Sequence, residues 1–417
     1  MSEIAVSSPR KIVEVMNLIY RNNLTTVSGG NLSILDDDGA IWITPSGVDK
    51  GSLQEDDIVR IGADGTISGR HKPSIELPFH QQIYQRRPDI RAIIHAHPPA
   101  LIAASLVHKT PPIAIAPLFK LHCAKIDIAR YALPGSPLLG KNIAQQFALG
   151  CDAVILENHG IAVGDKSLDD AWLKFELLNF CAATAIHGAP LGPLKTLSDE
   201  QCEKFRGLMQ ARQRYPLTQE HLPERQALND IAHRVQQKGL SPCAFFSLSQ
   251  RLEDDTVLIS RSDKMLHTLT ADDFVRLAET PAPSSLAALH QAIYARHPRI
   301  RTIMMALPPH AMGFACTGVP FDSRLIPESY MVMRQVKSPE YEALFDGSLP
   351  DFIDRRSDVL LIQNAMVMVC GESPLKAYDR LEVLEFSARA GDYARALGHI
   401  VHIPPQDIED IHQAFNL

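Results

Sequence analysis

The chain contains a long internal repeat, which constrains its fold more than any other feature. Residues 80–99 read HQQIYQRRPDIRAIIHAHPP and residues 290–309 read HQAIYARHPRIRTIMMALPP. Twelve of these twenty positions are identical, at a fixed offset of 210. Self-similarity at a fixed spacing is typical of a duplicated structural unit. The sequence therefore predicts that one domain occurs twice.

A second match follows in the same order along the chain. DAVILENHGIAV at 152–163 pairs with DVLLIQNAMVMV at 358–369, and a stretch rich in proline and polar residues lies near 188–228. A chain of 417 residues is long enough for two domains, each with its own core. We predict that the domains span 1–215 and 222–417.

Within each copy, the spacing of apolar residues changes between that of helices and that of strands. NLSIL and AIWIT read as a hairpin that turns over Asp36-Asp37-Asp38-Gly39. LPFHQQIYQRR reads as a helix, which Pro88 ends before the apolar strand IRAIIHAH. The predicted fold class is α/β, with a mixed central sheet covered by helices.

Three histidines and one glutamate form a candidate metal site in the first copy. His95 and His97 lie one residue apart at the end of an apolar strand, so their side chains point to the same face. His159 follows another apolar strand, and Glu76 opens the helix before the His-x-His strand. Three nitrogens and one carboxylate suit Zn²⁺, with Mn²⁺, Fe²⁺ or Co²⁺ as substitutes. The alternative is a pair of hydrogen-bonded histidines without a metal.

The second copy serves as an internal control for this interpretation. Framework residues around the four positions are the same in both copies, including Ile83/Ile293 and Pro98/Pro308. The four polar residues, in contrast, are all replaced by apolar ones, namely Leu286, Met305, Leu307 and Ala365. Loss of the four as a set is explained by a shared ligand, so we predict a metal site in the first copy alone.

Two glycine-containing segments are candidate anion- or hydroxyl-binding loops. SGGN at 28–31 and TPSG at 44–47 can turn backbone N–H groups toward a ligand, although ordinary turns have the same composition. Ser74 either adds a hydroxyl group or caps the following helix. His80 keeps a counterpart, His290, in the second copy, and we interpret it as structural.

Composition limits the classes of partner and the compartment. The net charge is −7, with 41 Lys+Arg against 48 Asp+Glu, which argues against nucleic acid or an anionic membrane as the main partner. We find neither a signal-peptide pattern nor an apolar stretch of about 18 residues. Seven scattered cysteines without a CxxC pair are typical of reduced thiols. We therefore expect a cytoplasmic protein with a small-molecule substrate.

Taken together, these motifs resemble the class II aldolase/adducin superfamily. The motifs are, in order, SGGN (28–31), TPSG (44–47), PSIE (73–76), HAHP (95–98) and ENHG (157–160). The first domain resembles L-fuculose-phosphate-aldolase-like proteins throughout, and the second is similar to a degenerate copy without the metal ligands. The resemblance implies two tandem α/β/α class II aldolase-like domains with mixed central sheets.

The resemblance also implies roles for individual residues. Zn²⁺ would bind to His95, His97 and His159, and Glu76 would be both a ligand and the group that transfers a proton. A phosphate, or a group that replaces it, would be surrounded by Gly30, Asn31, Ser46, Gly47 and Ser74.

The implied activity is that of a metal-dependent lyase acting on a small carbohydrate-type substrate. Such an enzyme cleaves or forms a C–C bond in a sugar-derived ketose or ketose phosphate through a metal-stabilised enediolate. The same metal site would suit a decarboxylase of a sugar-derived keto acid or a 4-epimerase. A non-catalytic, adducin-like scaffold is an alternative from a different class.

Two departures from the family pattern affect these expectations. Phosphate-using relatives carry Ser-Ser-Glu where this chain has Ser74-Ile75-Glu76, so one hydroxyl that would bind phosphate is absent. Aldolases of the family also take a tyrosine from a neighbouring subunit as the acid, and the aligned positions here hold Ala116 and Arg324. The substrate and the acid are therefore left open.

The family assembles as fourfold rings. The resemblance therefore implies a homo-oligomer, a dimer of two-domain chains that forms a pseudo-tetrameric ring.

Overall fold

A computed structural model describes residues 6–210, 220–277 and 285–415. The chain forms two compact units. The first comprises Met1–Pro112 and His122–Ala182, and the second comprises Ile113–Leu121 and Ala183–Leu417. Residue 215, where we predict that the first domain ends, lies outside the described residues, and the predicted boundary stays a prediction.

The strands are short, and most of them pair with neighbours in an antiparallel manner. In chain order they are β1 Asn31–Leu35, β2 Ile41–Ile43, β3 Val59–Ile61, β4 Ile67–Ser68, β5 Ala92–Ala96, β6 Ile126–Ala129, β7 Ala153–Leu156, β8 Gly160–Asp165, β9 Ser247–Arg251, β10 Val257–Ser260, β11 Phe274–Arg276, β12 Thr302–Ala306, β13 Val336–Lys337, β14 Val359–Ile362 and β15 Met366–Gly371.

Helices connect these strands. In chain order they are α1 Ser8–Arg21, α2 Leu77–Arg86, α3 Pro99–Leu106, α4 Pro117–His122, α5 Pro137–Ala148, α6 Leu168–Gly188, α7 Asp199–Gln210, α8 Leu222–Gln237, α9 Leu286–Arg296, α10 Pro309–Thr317, α11 Pro327–Met333, α12 Pro374–Leu397 and α13 Pro405–Phe415.

Each unit contains one mixed sheet, and among the described residues the two sheets share one strand order except for the additional edge strand β4 of the first. The first runs β4-β3-β2-β1-β5-β8-β7-β6, and the second runs β11-β10-β9-β12-β15-β14-β13. Only β6–β7 in the first sheet and β13–β14 in the second pair in parallel among the described residues. The duplication that the repeat predicts is therefore visible in the topology.

Helices cover both faces of the sheet in the first unit. All five residues of β5 are buried, which requires packing on both faces because side chains alternate along a strand. On one face, Ile83 of α2 and Ile143 of α5 belong to a core cluster with Ile93 and Val154 of the sheet. The predicted α/β class with mixed central sheets is confirmed.

Local predictions from the sequence also agree with the structure. β1 and β2 form the predicted hairpin, with Ser33 opposite Ile43.

In the described part of the chain, no helix combines the length and the apolar composition that crossing a membrane requires.

Candidate metal centre

His95 lies on the central strand β5 and is completely buried. Its ring Nδ1 lies 2.9 Å from the carbonyl oxygen of Ile161 on the neighbouring strand β8. Because a carbonyl oxygen only accepts hydrogen bonds, Nδ1 must be the donor, and the ring orientation is thereby set. Nε2 therefore points away from the strand pair and is the nitrogen available to the site.

His97 follows the end of β5, and its Nε2 lies 3.2 Å from Nε2 of His95. Its ring packs closely against two glycines. A Cβ added at Gly29 would lie 2.8 Å from Nδ1 of His97, and one added at Gly160 would lie 2.6 Å from Cδ2. Any larger residue at these two positions would displace the ring, so the glycines are needed here for space.

His159 lies in the tight turn between β7 and β8. The residue before it, Asn158, has φ +53, in the left-handed region that Asn tolerates better than most residues. The N–H of His159 donates to the carbonyl oxygen of Leu156 at 3.1 Å. This turn carries the imidazole back over the end of the sheet, toward His95 and His97.

Glu76 immediately precedes α2 and is buried between these histidines. Its Oε2 lies 3.2 Å from Nε2 of His95 and accepts a hydrogen bond of 2.7 Å from Nδ2 of Asn31. Its Oε1 lies 3.7 Å from Nε2 of His159 and has no hydrogen-bond partner among the described residues. One carboxylate oxygen is thus held, and the other faces the cluster without a partner.

Electrostatics in this cluster favour a positive charge at its centre. Burial alone would raise the pKa of Glu76, but His95, His159 and the Asn31 hydrogen bond lower it overall. Burial would lower the pKa of His95, but the Glu76 carboxylate raises it overall. Burial and the charge of His95 lower the pKa of His97 to about 3 and that of His159 to about 4. The ionised carboxylate of Glu76 therefore lies near the neutral imidazoles of His97 and His159, and this arrangement favours a cation between them.

The spacing of these atoms fits a divalent metal. Around a tetrahedral zinc with bonds of about 2.0–2.1 Å, neighbouring ligand atoms are separated by roughly 3.3 Å. One ring nitrogen each of His95, His97 and His159 lies within 4.8 Å of the others, and the pair from His95 and His97 is 3.2 Å apart. The Glu76 carboxylate adds Oε2 at 3.2 Å from His95 and Oε1 at 3.7 Å from His159. A metal would also satisfy the buried Oε1 of Glu76, which a single proton on His95 leaves without a partner. The residues present therefore fit the metal that the resemblance implies.

The predicted substrate-binding residues are distributed over three segments. Gly30, with φ +73, packs against the carbonyl oxygen of His95, where a Cβ would approach to 2.7 Å. The Ser74 hydroxyl accepts a bond of 3.3 Å from the N–H of Glu76, and this contact orients the start of α2. Ser46 is half-buried and Gly47 is exposed. Ligand binding by these residues and by Asn31 stays a prediction.

Lys50, which no sequence pattern marks as part of the site, is almost completely buried. Its ammonium group donates to the carbonyl oxygen of Pro45 at 2.6 Å, and its backbone N–H donates to that of Val27 at 2.9 Å. It therefore ties the TPSG segment to the chain just before SGGN. Burial lowers the pKa of Lys50 to about 8. A single lysine in a loop has no sequence pattern that marks it as buried.

In the second unit, the equivalent positions form an apolar core. The backbone register is the same in both units. Asn31 of β1 lies opposite His95 of β5, and Ser247 of β9 lies opposite Met305 of β12. The turn residue Asn364 has φ +55, matching that of its counterpart in the first unit. The apolar replacements are all buried, namely Leu286, Met305, Leu307 and Ala365.

A second group of metal-binding residue types lies in the second unit, at His187, His310 and Asp392. The two imidazole rings stack, with centroids 3.6 Å apart and planes 22° apart. Each ring Nδ1 already contacts a carboxylate, at 2.8 Å for His187 with Asp392 and 2.7 Å for His310 with Glu385. A metal must lie near the plane of each ring that binds it, because the nitrogen lone pair does. Rings that are nearly parallel and only 3.6 Å apart do not allow this, so we do not assign a metal here.

Comparison with known proteins agrees with the motifs. The family described as Class II Aldolase and Adducin N-terminal domain matches residues 10–186 and again residues 226–390. This chain belongs to the class II aldolase/adducin family. The two matched segments also confirm the tandem duplication.

Members of the family with known activities match about half of the chain. An L-fuculose phosphate aldolase of Methanocaldococcus jannaschii is 34% identical over 40% of this chain and 90% of its own length. A 5-deoxy-D-ribulose 1-phosphate aldolase of Bacillus thuringiensis serovar kurstaki is 32% identical over 47% of this chain and 94% of its own length. A 3-oxo-tetronate 4-phosphate decarboxylase of Haemophilus influenzae is 30% identical over 38% of this chain and 78% of its own length.

Proposed function

We propose that this protein is a metal-dependent lyase that cleaves or forms a C–C bond in a small sugar-derived ketose or ketose phosphate. The observation that carries the proposal is the convergence of His95, His97, His159 and Glu76, with one buried carboxylate oxygen that no described residue engages. The aldolases among its relatives support this reaction class. An adducin-like scaffold would have no need for such a cluster.

In this proposal, His95, His97, His159 and Glu76 hold Zn²⁺, and Mn²⁺, Fe²⁺ or Co²⁺ are substitutes. Three imidazoles and a carboxylate are a donor set typical of zinc. A bound divalent cation supplies a Lewis acid for the carbonyl oxygen of the substrate. The chain would orient this set through the Ile161 carbonyl, which fixes the ring of His95.

Glu76 has a second role in the proposal, as the group that moves a proton. Its Oε1 is the carboxylate oxygen that no other described residue engages, and it faces the side where the three histidines converge. A general base must lie within hydrogen-bond reach of the proton that it takes. Asn31 holds Oε2 and limits rotation of the carboxylate. The same Oε1 would therefore be a metal ligand and, where substrate takes its place on the metal, the base.

The second candidate reaction is decarboxylation of a sugar-derived keto acid. The Haemophilus influenzae relative, a 3-oxo-tetronate 4-phosphate decarboxylase, favours it. The same metal and the same carboxylate would serve both reactions, because each leaves negative charge next to a carbonyl group. A 4-epimerase would also use these groups.

A substrate panel with the zinc-loaded protein tests the proposal. The panel contains fuculose 1-phosphate, 5-deoxyribulose 1-phosphate, their unphosphorylated forms and 3-oxotetronate 4-phosphate, and aldehyde and CO₂ are followed separately. His95→Ala should abolish metal binding and turnover. The matched control is Met305→Leu, at the equivalent position of the second unit, and it should change neither. Less than about 0.2 equivalents of bound metal per chain after metal-supplemented expression would refute the enzyme assignment.

We further propose that the domains span 1–215 and 222–417 and that the second domain is non-catalytic. The chain is also proposed to be cytoplasmic and to form a homo-oligomer, a ring of two chains. The ring built from two chains should give the mass of a dimer by light scattering at working concentration. A mass of one chain would contradict it.

A further inference from the structure

His80 of the first unit and His290 of the second lie in similar surroundings, but the residues that contact one side of the ring differ between the two units. In the first unit, Nδ1 of His80 lies 2.6 Å from the hydroxyl of Ser33, which lies 2.6 Å from the hydroxyl of Tyr84. All three side chains are buried. This cradle ties helix α2 to strand β1, because His80 and Tyr84 belong to the helix and Ser33 to the strand.

The second unit contains the same cradle. Nδ1 of His290 lies 2.6 Å from the hydroxyl of Ser249, which lies 2.7 Å from that of Tyr294. On the other side of the ring, Nε2 of His290 lies 3.0 Å from the hydroxyl of Ser247. The cradle is therefore kept in a unit without the metal-site residues, so it has a structural role.

On its other side, His80 contacts the metal-site residues. Its Nε2 lies 2.5 Å from Oδ1 of Asn31, and Nδ2 of Asn31 donates to Oε2 of Glu76 at 2.7 Å. Asn31 stands where the second unit has Ser247, as the strand register shows. A serine side chain is too short to bind His80 and Glu76 at once.

The direction of each hydrogen bond follows from the chemistry of the end groups. The ionised carboxylate of Glu76 only accepts, so Asn31 must present its NH₂ group to it and its oxygen to His80. The amide oxygen also only accepts, so His80 must donate from Nε2. The neutral ring then accepts at Nδ1 from Ser33, and Ser33 accepts from Tyr84. Every member of this chain has one allowed role.

We propose that His80 is a positioning residue for the metal centre, acting through Asn31 to hold the Glu76 carboxylate in place. Hydrogen-bond partners behind a metal ligand orient it and tune its affinity for the metal. Here the orienting chain starts from a structural histidine that both units share, and Asn31, which stands where the second unit has Ser247, connects it to Glu76. This inference rests on the proposed metal-dependent function.

Zinc affinity of the intact chain, measured by competition with a chelator, tests the proposal without a substrate. His80→Leu removes the donor to Asn31, and we expect the affinity to fall about tenfold or more. His80→Gln keeps an N–H donor near the position of Nε2 and should restore most of the affinity. Asn31→Ser introduces the residue type of the second unit, which leaves Glu76 unheld, and should weaken zinc binding as His80→Leu does.

Matched variants of the second unit separate positioning from general destabilisation. His290→Leu and His290→Gln alter the same cradle where the metal-site residues are absent, so zinc affinity should stay within twofold of that of the wild type. Equal losses from His80→Leu and His290→Leu, or no loss from either His80→Leu or Asn31→Ser, would overturn the proposal. If the wild type binds no zinc, the proposed function itself fails, which is a distinguishable result.

Discussion

The buried His290 should make the stability of the second unit depend on pH. The ring is fully buried and contacts two serine hydroxyls, and burial lowers its pKa to about 3. In the unfolded chain the pKa returns to about 6.5. Between these two values, the unfolded state binds a proton that the folded state does not bind. The free energy of unfolding therefore falls as the pH falls from about 6.5 toward 3.

The size of the effect follows from these two pKa values. Between pH 7.5 and pH 5.0 the unfolded state gains about 2 kcal/mol relative to the folded state, which corresponds to roughly a 30-fold change in the equilibrium. Other titrating groups add their own pH dependence, which is common to the wild type and a His290 variant. The difference between the two proteins isolates the histidine. His290→Gln should therefore lose about 2 kcal/mol less than the wild type over this pH range.

Hydrogen exchange read by mass spectrometry is the suitable assay, because it resolves the two units of one chain. The peptides to follow cover α9, Leu286–Arg296, and their opening free energies are compared at pH 7.5 and 5.0 after correction for intrinsic exchange. His290→Gln will have its own lower stability, which cancels in the comparison across pH. An equal loss in the wild type and in His290→Gln would refute the reasoning, since it would mean that the buried ring does not differ in protonation from the unfolded chain.

Two further predictions concern the metal centre. Both tryptophans of the chain, Trp42 and Trp172, lie in the first unit, so their fluorescence follows that unit alone. Removing zinc that is present at about 100 times its Kd should lower the free energy of unfolding by about 2.7 kcal/mol. The melting temperature detected by fluorescence should then fall by roughly 5–11 °C. An unchanged melting temperature would exclude a metal that stabilises this unit. Gly160→Ala places a Cβ 2.6 Å from Cδ2 of His97 and should weaken zinc binding at least tenfold, whereas Gly207→Ala on α7, where a Cβ meets nothing within 4 Å, should leave it unchanged. Equal zinc affinity in the two glycine variants would contradict the tight packing around His97.

Much of the architecture is predictable because the repeat supplies a comparison within one sequence. Counterparts such as His95 and Met305 share their neighbours, so the loss of polar residues stands out against a constant framework. The alternation of side chains along a strand also predicts that His95 and His97 share a face. Both inferences depend on local geometry and on residue identity, which a sequence contains directly.

The interpretation of His80 as structural, in contrast, is incomplete. Its counterpart His290 suggests a role in packing alone, and the cradle of serine and tyrosine agrees with that role. The link from His80 to Glu76 depends on Asn31, which lies 49 residues away in sequence from His80. A hydrogen bond over that distance leaves no periodic or motif signal.

The sequence alone determined the duplication, the α/β class, the family resemblance and the set of metal-site candidates, because each of these follows from residue identity at short or fixed spacing. Tertiary structure alone decided how these groups are oriented. The carbonyl of Ile161 sets the ring of His95, and Asn31 holds one oxygen of Glu76 while the other has no partner in the described part of the chain. The physical reason is that orientation depends on hydrogen bonds between strands and helices that are distant in sequence, and those partners meet only when the sheet is formed.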